Sequence, residues 1–91
     1  MIKILIVDDD FELLELLTRH LQNEGSHILA AGTAKQAKQL LNDKKDLDLI
    51  ILDVMLPDST GFELLSEIRK SMQTPVIMLT ARGDKIDRVT G

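Results

Sequence analysis

The sequence of 91 residues contains no cysteine and only two aromatic residues, Phe11 and Phe62. Without cysteine no disulfide can form, which argues against a small secreted scaffold and is typical of a reducing cytoplasm. The apolar runs are far too short to span a bilayer, and the N-terminus lacks the features of a signal peptide. We therefore expect one cytoplasmic domain with a modest core.

Positive charge is also scarce, with 11 basic against 15 acidic residues and a formal net charge of −4. This balance argues against direct binding to nucleic acid or to an anionic membrane. Hydrophobic residues make up 44% of the chain, so we expect it to fold rather than remain disordered.

Short apolar runs alternate with amphipathic stretches along the chain. The runs span residues 2–7, 27–31, 48–53 and 75–79. Because three of them are apolar on both faces, they are typical of buried strands in a parallel sheet, whereas residues 27–31 form a weaker run that indicates an edge strand.

Between the runs, apolar residues recur with the period of a helix. The three stripes are Phe11, Leu14, Leu17 and Leu21; Ala34, Ala37, Leu40 and Leu41; and Leu64, Leu65, Ile68 and Met72. The pairs Thr33–Gln36 and Thr60–Glu63 have capping-box spacing and predict the starts of the second and third helices.

The resulting order is β-α-β-α-β-α-β, followed by a helix that Asp84 would begin and that would carry Ile86 and Val89. Such alternation predicts an α/β fold with a parallel sheet and right-handed crossovers. Helices would cover both faces of the sheet.

Polar residues follow the predicted strands at their carboxyl ends. The first strand is followed by Asp8, Asp9 and Asp10, the third ends in Asp53, and the fourth is followed by Thr80. Ligands of open parallel sheets bind beyond these ends. If the first and third strands are neighbours, the carboxylates of Asp8, Asp9 and Asp53 converge and repel one another, and Mg²⁺ or Mn²⁺ would relieve the repulsion.

A carboxylate beside such a cation can attack phosphorus and form an aspartyl phosphate. Simpler interpretations exist for each residue alone. Asp9 with Glu12 has capping-box spacing, and Asp10 is interpreted as a helix cap. Asp53 alone could be a turn residue at a strand end, and Thr80 alone a cap or turn hydroxyl. A phosphohydrolase of the haloacid dehalogenase type would also use a strand-end Asp, but it expects a second Asp where this chain has Met55. A dinucleotide-binding module is disfavoured because no glycine-rich loop follows the first strand.

Three motifs in order, ILIVDDD at 4–10, LDVMLP at 52–57 with Gly61, and PVIMLTA at 75–81, resemble the receiver domain of two-component response regulators. Residues 74–83 and 87–89 are most similar to the OmpR/PhoB class of transcription regulators. The resemblance implies a flavodoxin-like (CheY-like) doubly wound parallel sheet with strand order 2-1-3-4-5.

The resemblance also implies roles for individual residues. Asp53 would be the phosphoacceptor, Asp8 and Asp9 the acidic pair for Mg²⁺ or Mn²⁺, Met55 a metal ligand through its backbone carbonyl, and Thr80 the switch hydroxyl. The phosphoryl group would come from a sensor histidine kinase or from acetyl phosphate. Such a domain is a phosphoacceptor that controls a transcription-regulator output, and at most it phosphorylates and dephosphorylates itself.

The family also has a fifth strand that carries a Lys and a switch aromatic, and a last helix after it. Only eleven residues follow Thr80, and Lys85 does not match the family Lys. We therefore expect residues 1–91 to be a receiver domain incomplete at its C-terminus, with strand order 2-1-3-4 and no output domain. The alternative is a fragment that does not signal and that forms a homodimer or a domain-swapped dimer through the exposed edge of the fourth strand.

Overall fold

The computed structural model describes residues 1–43, 46–79 and 86–89. Strands and helices alternate in this part of the chain, as the apolar runs predict. The elements are β1 (Lys3–Val7), α1 (Phe11–Asn23), β2 (His27–Ala31), α2 (Ala34–Asp43), β3 (Leu49–Asp53), α3 (Gly61–Arg69), β4 (Val76–Leu79) and β5 (Ile86–Val89).

The described strands form one sheet in the order β2-β1-β3-β4-β5. The first four are parallel, which confirms the predicted 2-1-3-4 arrangement and the neighbouring positions of β1 and β3. Val7 is level with Leu52 in the β1–β3 pair. The carboxyl ends of β1 and β3 therefore lie side by side at one edge of the sheet.

The predictions that residues 86–89 are helical and that β4 is the outermost strand are wrong, whereas Asp84, the predicted start of that helix, lies outside the described residues. Residues Ile86–Val89 form a strand that pairs antiparallel with β4. A parallel neighbour needs a crossover of roughly a dozen residues or more, whereas an antiparallel neighbour needs only a short connection. Residues 80–85 are too few for such a crossover, so β5 covers the edge of β4 in the antiparallel direction.

The core lies on both faces of the sheet because alternate strand residues point to opposite sides. On one face Leu5 and Leu52 are fully buried in a cluster with residues of α2 and α3. On the other face Ile4 and Ile6 pack with Leu14 of α1. Burial on two sides explains why the strands read as continuous apolar runs.

The apolar stripe of α1 begins one turn later than predicted. The Asp10 side chain caps this helix and accepts from the backbone N–H of Leu13, so Phe11 is its first residue. Phe11 is 79% exposed, while Leu14 is buried. A helical side chain covers the turn N-terminal to its own Cα, so the side chain of the first residue reaches beyond the packed part of the helix.

Arg69 joins the end of α3 to the segment that leads into β4. Its Nη1 donates to the backbone carbonyls of Met72, at 3.3 Å, and Thr74, at 2.7 Å. These bonds satisfy carbonyl oxygens that the connection leaves without a sheet or helix partner. They tie the end of α3 to the connection that precedes β4.

Replacing Arg69 should destabilise the domain more than replacing its neighbour. We expect Arg69→Ala to lower the free energy of unfolding by about 1–3 kcal/mol, since two partly buried carbonyls lose their donor. Lys70→Ala removes only an exposed ion pair with Glu67 and should change stability by less than about 1 kcal/mol. Urea denaturation of both variants measures the difference, and equal losses would show that the Arg69 bonds add nothing.

Candidate functional site

Three acidic side chains meet at the carboxyl edge of β1 and β3. Asp8 directly follows β1, and Asp53 is the last residue of β3, at the same level of the sheet. Carboxylate oxygens of Asp8, Asp9 and Asp53 all lie within 4.8 Å of one another. The structure thus brings together the three carboxylates that the strand ends predicted as a cluster.

Two of these carboxylates are removed from solvent. Asp8 is 3% exposed and Asp53 is 8% exposed, whereas Asp9 is open to solvent. Burial, followed by the negative charge of Asp8, raises the pKa of Asp53 to about 6, although the backbone N–H of Met55 partly opposes this. Burial also raises the pKa of Asp8, against a hydrogen bond from the Asp10 backbone N–H at 2.8 Å.

The donor set fits a small divalent cation. Mg²⁺ takes oxygen ligands at 2.0–2.1 Å, so two oxygens on opposite sides of one ion lie about 4.2 Å apart. The carboxylate oxygens lie within 4.8 Å of one another, so the three side chains are grouped closely enough to share one such ion. Hard oxygen donors favour Mg²⁺ or Mn²⁺ over softer metals.

The loop after β3 is a short hairpin beside Asp53. The Gly61 N–H donates to the Val54 carbonyl at 2.7 Å, and the Leu56 N–H donates to the Ser59 carbonyl at 3.1 Å. Leu56 is buried in the core. The exposed Met55 side chain can therefore point to solvent while its backbone stays fixed next to Asp53.

Gly61 lets the first turn of α3 approach the backbone of Asp53. A Cβ at this position would overlap the Asp53 carbonyl oxygen and would lie 2.8 Å from Cε of Met78. Thr60 caps the same helix by accepting from the Glu63 N–H at 3.1 Å, as its capping-box spacing predicts. The α3 N-terminus and the end of β3 are thus packed without room for a side chain.

Asp58 is a polar residue that the sequence interpretation missed. From the tip of the hairpin, its two carboxylate oxygens accept from the Ala34 N–H at 2.9 Å and the Lys35 N–H at 3.0 Å, at the start of α2. These bonds lower the pKa of Asp58. No local motif signals the contact because its partners lie 23 and 24 residues away.

The remaining predicted site residue, Thr80, lies outside the described residues. It directly follows Leu79, which is level with Asp53 in the β3–β4 pair.

None of the helices in the described part of the chain is long and apolar enough to cross a membrane.

Comparison with known proteins identifies the family. Residues 4–91 match the sequence model of the response regulator receiver domain. The chain belongs to the response regulator receiver domain family. Receiver domains are generally phosphoacceptors rather than true enzymes, and they interact with histidine kinases. They also bind Mg²⁺ at an acidic pocket.

Curated relatives place the similarity among transcription regulators. The chain is 53% identical over 89 residues to the transcriptional regulatory protein CpxR of Klebsiella pneumoniae, and 51% identical to CpxR of Escherichia coli. Each alignment covers 98% of this chain and 38% of the relative. The predicted resemblance to the OmpR/PhoB class is confirmed, and the chain spans little more than a third of these relatives.

Solved receiver structures share the fold. The response regulator TrrA of Thermotoga maritima, in complex with Mg²⁺ and beryllium fluoride, is 39% identical with a TM-score of 0.81, over 89% of this chain and 70% of that one. The HemR receiver domain of Leptospira biflexa is 32% identical, also with a TM-score of 0.81, over 93% and 68%. The flavodoxin-like expectation is confirmed.

The raised pKa of Asp53 predicts that this carboxylate destabilises the metal-free domain at neutral pH. The folded state binds the proton more tightly than the unfolded state, so stability falls as pH rises from the ordinary value of 3.8 through about 6. In EDTA at pH 8, we expect Asp53→Asn to raise the free energy of unfolding by about 1–2 kcal/mol, which discounts the full pKa difference because the crevice is partly open. This gain in the free energy of unfolding should vanish near pH 4, where the Asp53 carboxyl of the folded wild type is protonated.

Urea denaturation at both pH values measures this effect. Asp43→Asn, at an exposed position at the end of α2, is the matched control and should change stability by less than about 0.5 kcal/mol. A gain for Asp53→Asn that is equal at pH 4 and pH 8 would contradict the electrostatic cause.

The packing at Gly61 predicts that a single added methyl group disturbs the site. We expect Gly61→Ala to lower the free energy of unfolding by about 1–3 kcal/mol, because α3 must move away from the Asp53 backbone. Gly32→Ala is the control, since its Cβ would make only an ordinary contact, 3.6 Å from Oε1 of Gln36. Equal thermal stability of the two variants would show that the approach at Gly61 is not restrictive.

Proposed function

We propose that Asp53 accepts the phosphoryl group in this receiver domain. The observation that supports this most directly is the position of its carboxylate, which is buried at the end of β3 and grouped with Asp8 and Asp9. Its pKa of about 6 leaves it mostly ionised at neutral pH, as a nucleophile requires. The Asp8 carboxylate, by contrast, is only 3% exposed and already accepts a hydrogen bond from the Asp10 backbone N–H.

Asp8, Asp9 and Asp53 would hold Mg²⁺ or Mn²⁺ together with the backbone carbonyl of Met55. When bound, the cation neutralises the carboxylates and the negative charge on the transferring group. The Mg²⁺ complex of TrrA, at 39% identity, supports this proposal. The side chain of Asp9 is exposed, so a hydrated ion in solvent would have direct access to this carboxylate.

In the reaction, one Oδ of Asp53 attacks phosphorus in line with the leaving group. A bond forms between this oxygen and phosphorus, and the bond from phosphorus to the donor breaks. The donor is the phosphohistidine of a sensor histidine kinase or a small acyl phosphate such as acetyl phosphate. The leaving imidazole takes a proton from solvent, and acetate leaves as the anion.

Thr80 is our proposed switch hydroxyl. Its position in the chain, directly after Leu79 at the level of Asp53, supports a role beside the phosphoryl group, where a hydroxyl can donate a hydrogen bond.

We further propose that the domain acts in the cytoplasm, forms a homodimer and controls a transcription-regulator output. The alternative fragment that associates through β4 is not favoured, since β5 already pairs with that edge.

Phosphorylation of Asp53 can be tested by intact mass. Incubation with acetyl phosphate and Mg²⁺ should add one phosphoryl group to the wild-type chain, and EDTA should prevent this. Asp53→Asn should remain unmodified because it lacks the nucleophile, and Asp9→Asn should react at least about tenfold more slowly because a metal ligand is lost.

Asp10→Ser is the matched control for the acidic cluster. Asp10 neighbours the site but caps α1, and serine retains a capping oxygen, so this variant should react like the wild type. Phosphorylation of the Asp53→Asn variant would show that another residue is the phosphoacceptor. A wild-type chain that gains no phosphoryl group would refute the proposal.

A further inference from the structure

We propose that Asp58 is a positioning residue for the metal site, which it serves by anchoring the hairpin after β3 to the N-terminus of α2. The inference rests on the proposed function, since the group that Asp58 positions is the Met55 backbone carbonyl. Asp58 itself has no place among the metal ligands or the reacting groups.

The contact has the geometry of a two-point anchor. One carboxylate oxygen of Asp58 accepts from Ala34 and the other from Lys35, at 2.9 and 3.0 Å. Two bonds from two oxygens fix the orientation of the side chain as well as its distance. The N-terminus of a helix favours a negative charge at this position.

The hairpin connects Asp58 rigidly to the Met55 backbone. Its two arms are joined by the Gly61–Val54 and Leu56–Ser59 hydrogen bonds, and Met55 bridges to Thr60 between them. A loop braced in this way moves as a unit. Release of its tip would therefore loosen the Met55 carbonyl beside Asp53.

The N-terminus of α2, to which Asp58 is bound, is connected in turn to the Asp8 side of the site. Helix α2 follows β2, and the Ala31 carbonyl at the end of β2 accepts from the Asp8 N–H at 3.0 Å. A chain of contacts therefore connects Asp8 to the hairpin: Asp8 bonds to the end of β2, β2 leads into α2, and α2 bonds to Asp58. These contacts link the two strand ends that supply the metal ligands, in addition to the pairing of the strands in the sheet.

Asp58 does more than cap α2, because its bonds join this helix to a loop that lies 23 and 24 residues further along the chain. The start of α2 already has a local cap, in which Thr33 accepts from the Gln36 N–H at 3.1 Å and Oε1 of Gln36 accepts from the Gly32 N–H at 2.8 Å. Thr33 contributes to the same helix end, and in the described part of the chain its side chain makes no hydrogen bond to the hairpin. It therefore provides a control that weakens the helix end and leaves the anchor in place.

The test compares Asp58→Ala, Asp58→Asn and Thr33→Ala with the wild-type chain. Titration with MgCl₂, followed through the backbone amide NMR signals of the site, gives the Kd of each protein. We expect Asp58→Ala to raise the Kd about tenfold, the loss typical of a removed outer-sphere support. Asp58→Asn retains one carbonyl oxygen and should fall between Asp58→Ala and the wild type, while Thr33→Ala should stay within about twofold of the wild type.

Amide hydrogen exchange without metal provides a second readout. In Asp58→Ala, the Leu56 and Gly61 amides should exchange at least about tenfold faster, and in Thr33→Ala they should not. A Kd and exchange rates unchanged by Asp58→Ala, or an equal effect of Thr33→Ala, would overturn the inference while leaving the proposed function intact. A wild-type chain that shows no Mg²⁺-dependent shift would refute the proposed metal site, and the inference would fall with it.

Discussion

Desolvation of carboxylates in the cluster of Asp8, Asp9 and Asp53 is the constraint on which the rest of the structure depends. Two of them are buried, and burial raises the pKa of both. In the absence of a cation, this group opposes folding at neutral pH, so the stability of the domain must come from elsewhere. The fully buried apolar residues of β1 and β3, the strands that lead to Asp8 and Asp53, contribute to that stability.

The sheet holds the carboxylates in place, and the loops complete the site. Parallel pairing puts the ends of β1 and β3 at one edge, so Asp8, which follows β1, and Asp53, which ends β3, lie side by side. The hairpin after β3 is fixed at both ends, by Gly61 at its base and by Asp58 at its tip. A site made from strand ends and braced loops can therefore keep ligand oxygens together against their mutual repulsion.

Sequence patterns predicted the helix caps well, because caps depend on residues close in the chain. They failed where contacts with residues distant in the chain determine the exposure or conformation of a segment. The caps at Thr33, Thr60 and Asp10 depend on residues three positions away, and all three are present. Phe11 matches the helical period yet is exposed, because the period cannot tell where packing begins. Residues 86–89 have a helical pattern as well, but the open backbone groups of β4 make a strand the better partner.

The sequence by itself determined the alternation of strands and helices, the expectation of a parallel sheet, and the acidic residues that follow or end two of the strands. These follow from periodicity and from the few topologies that alternating elements permit. The order of the strands came from the resemblance to receiver domains. Only the tertiary structure decided that the carboxylate oxygens lie within 4.8 Å, that Asp53 is buried enough to raise its pKa to about 6, and that Asp58 bonds to α2. The physical reason is that burial and contacts between distant residues belong to the packed chain, and no local pattern encodes them.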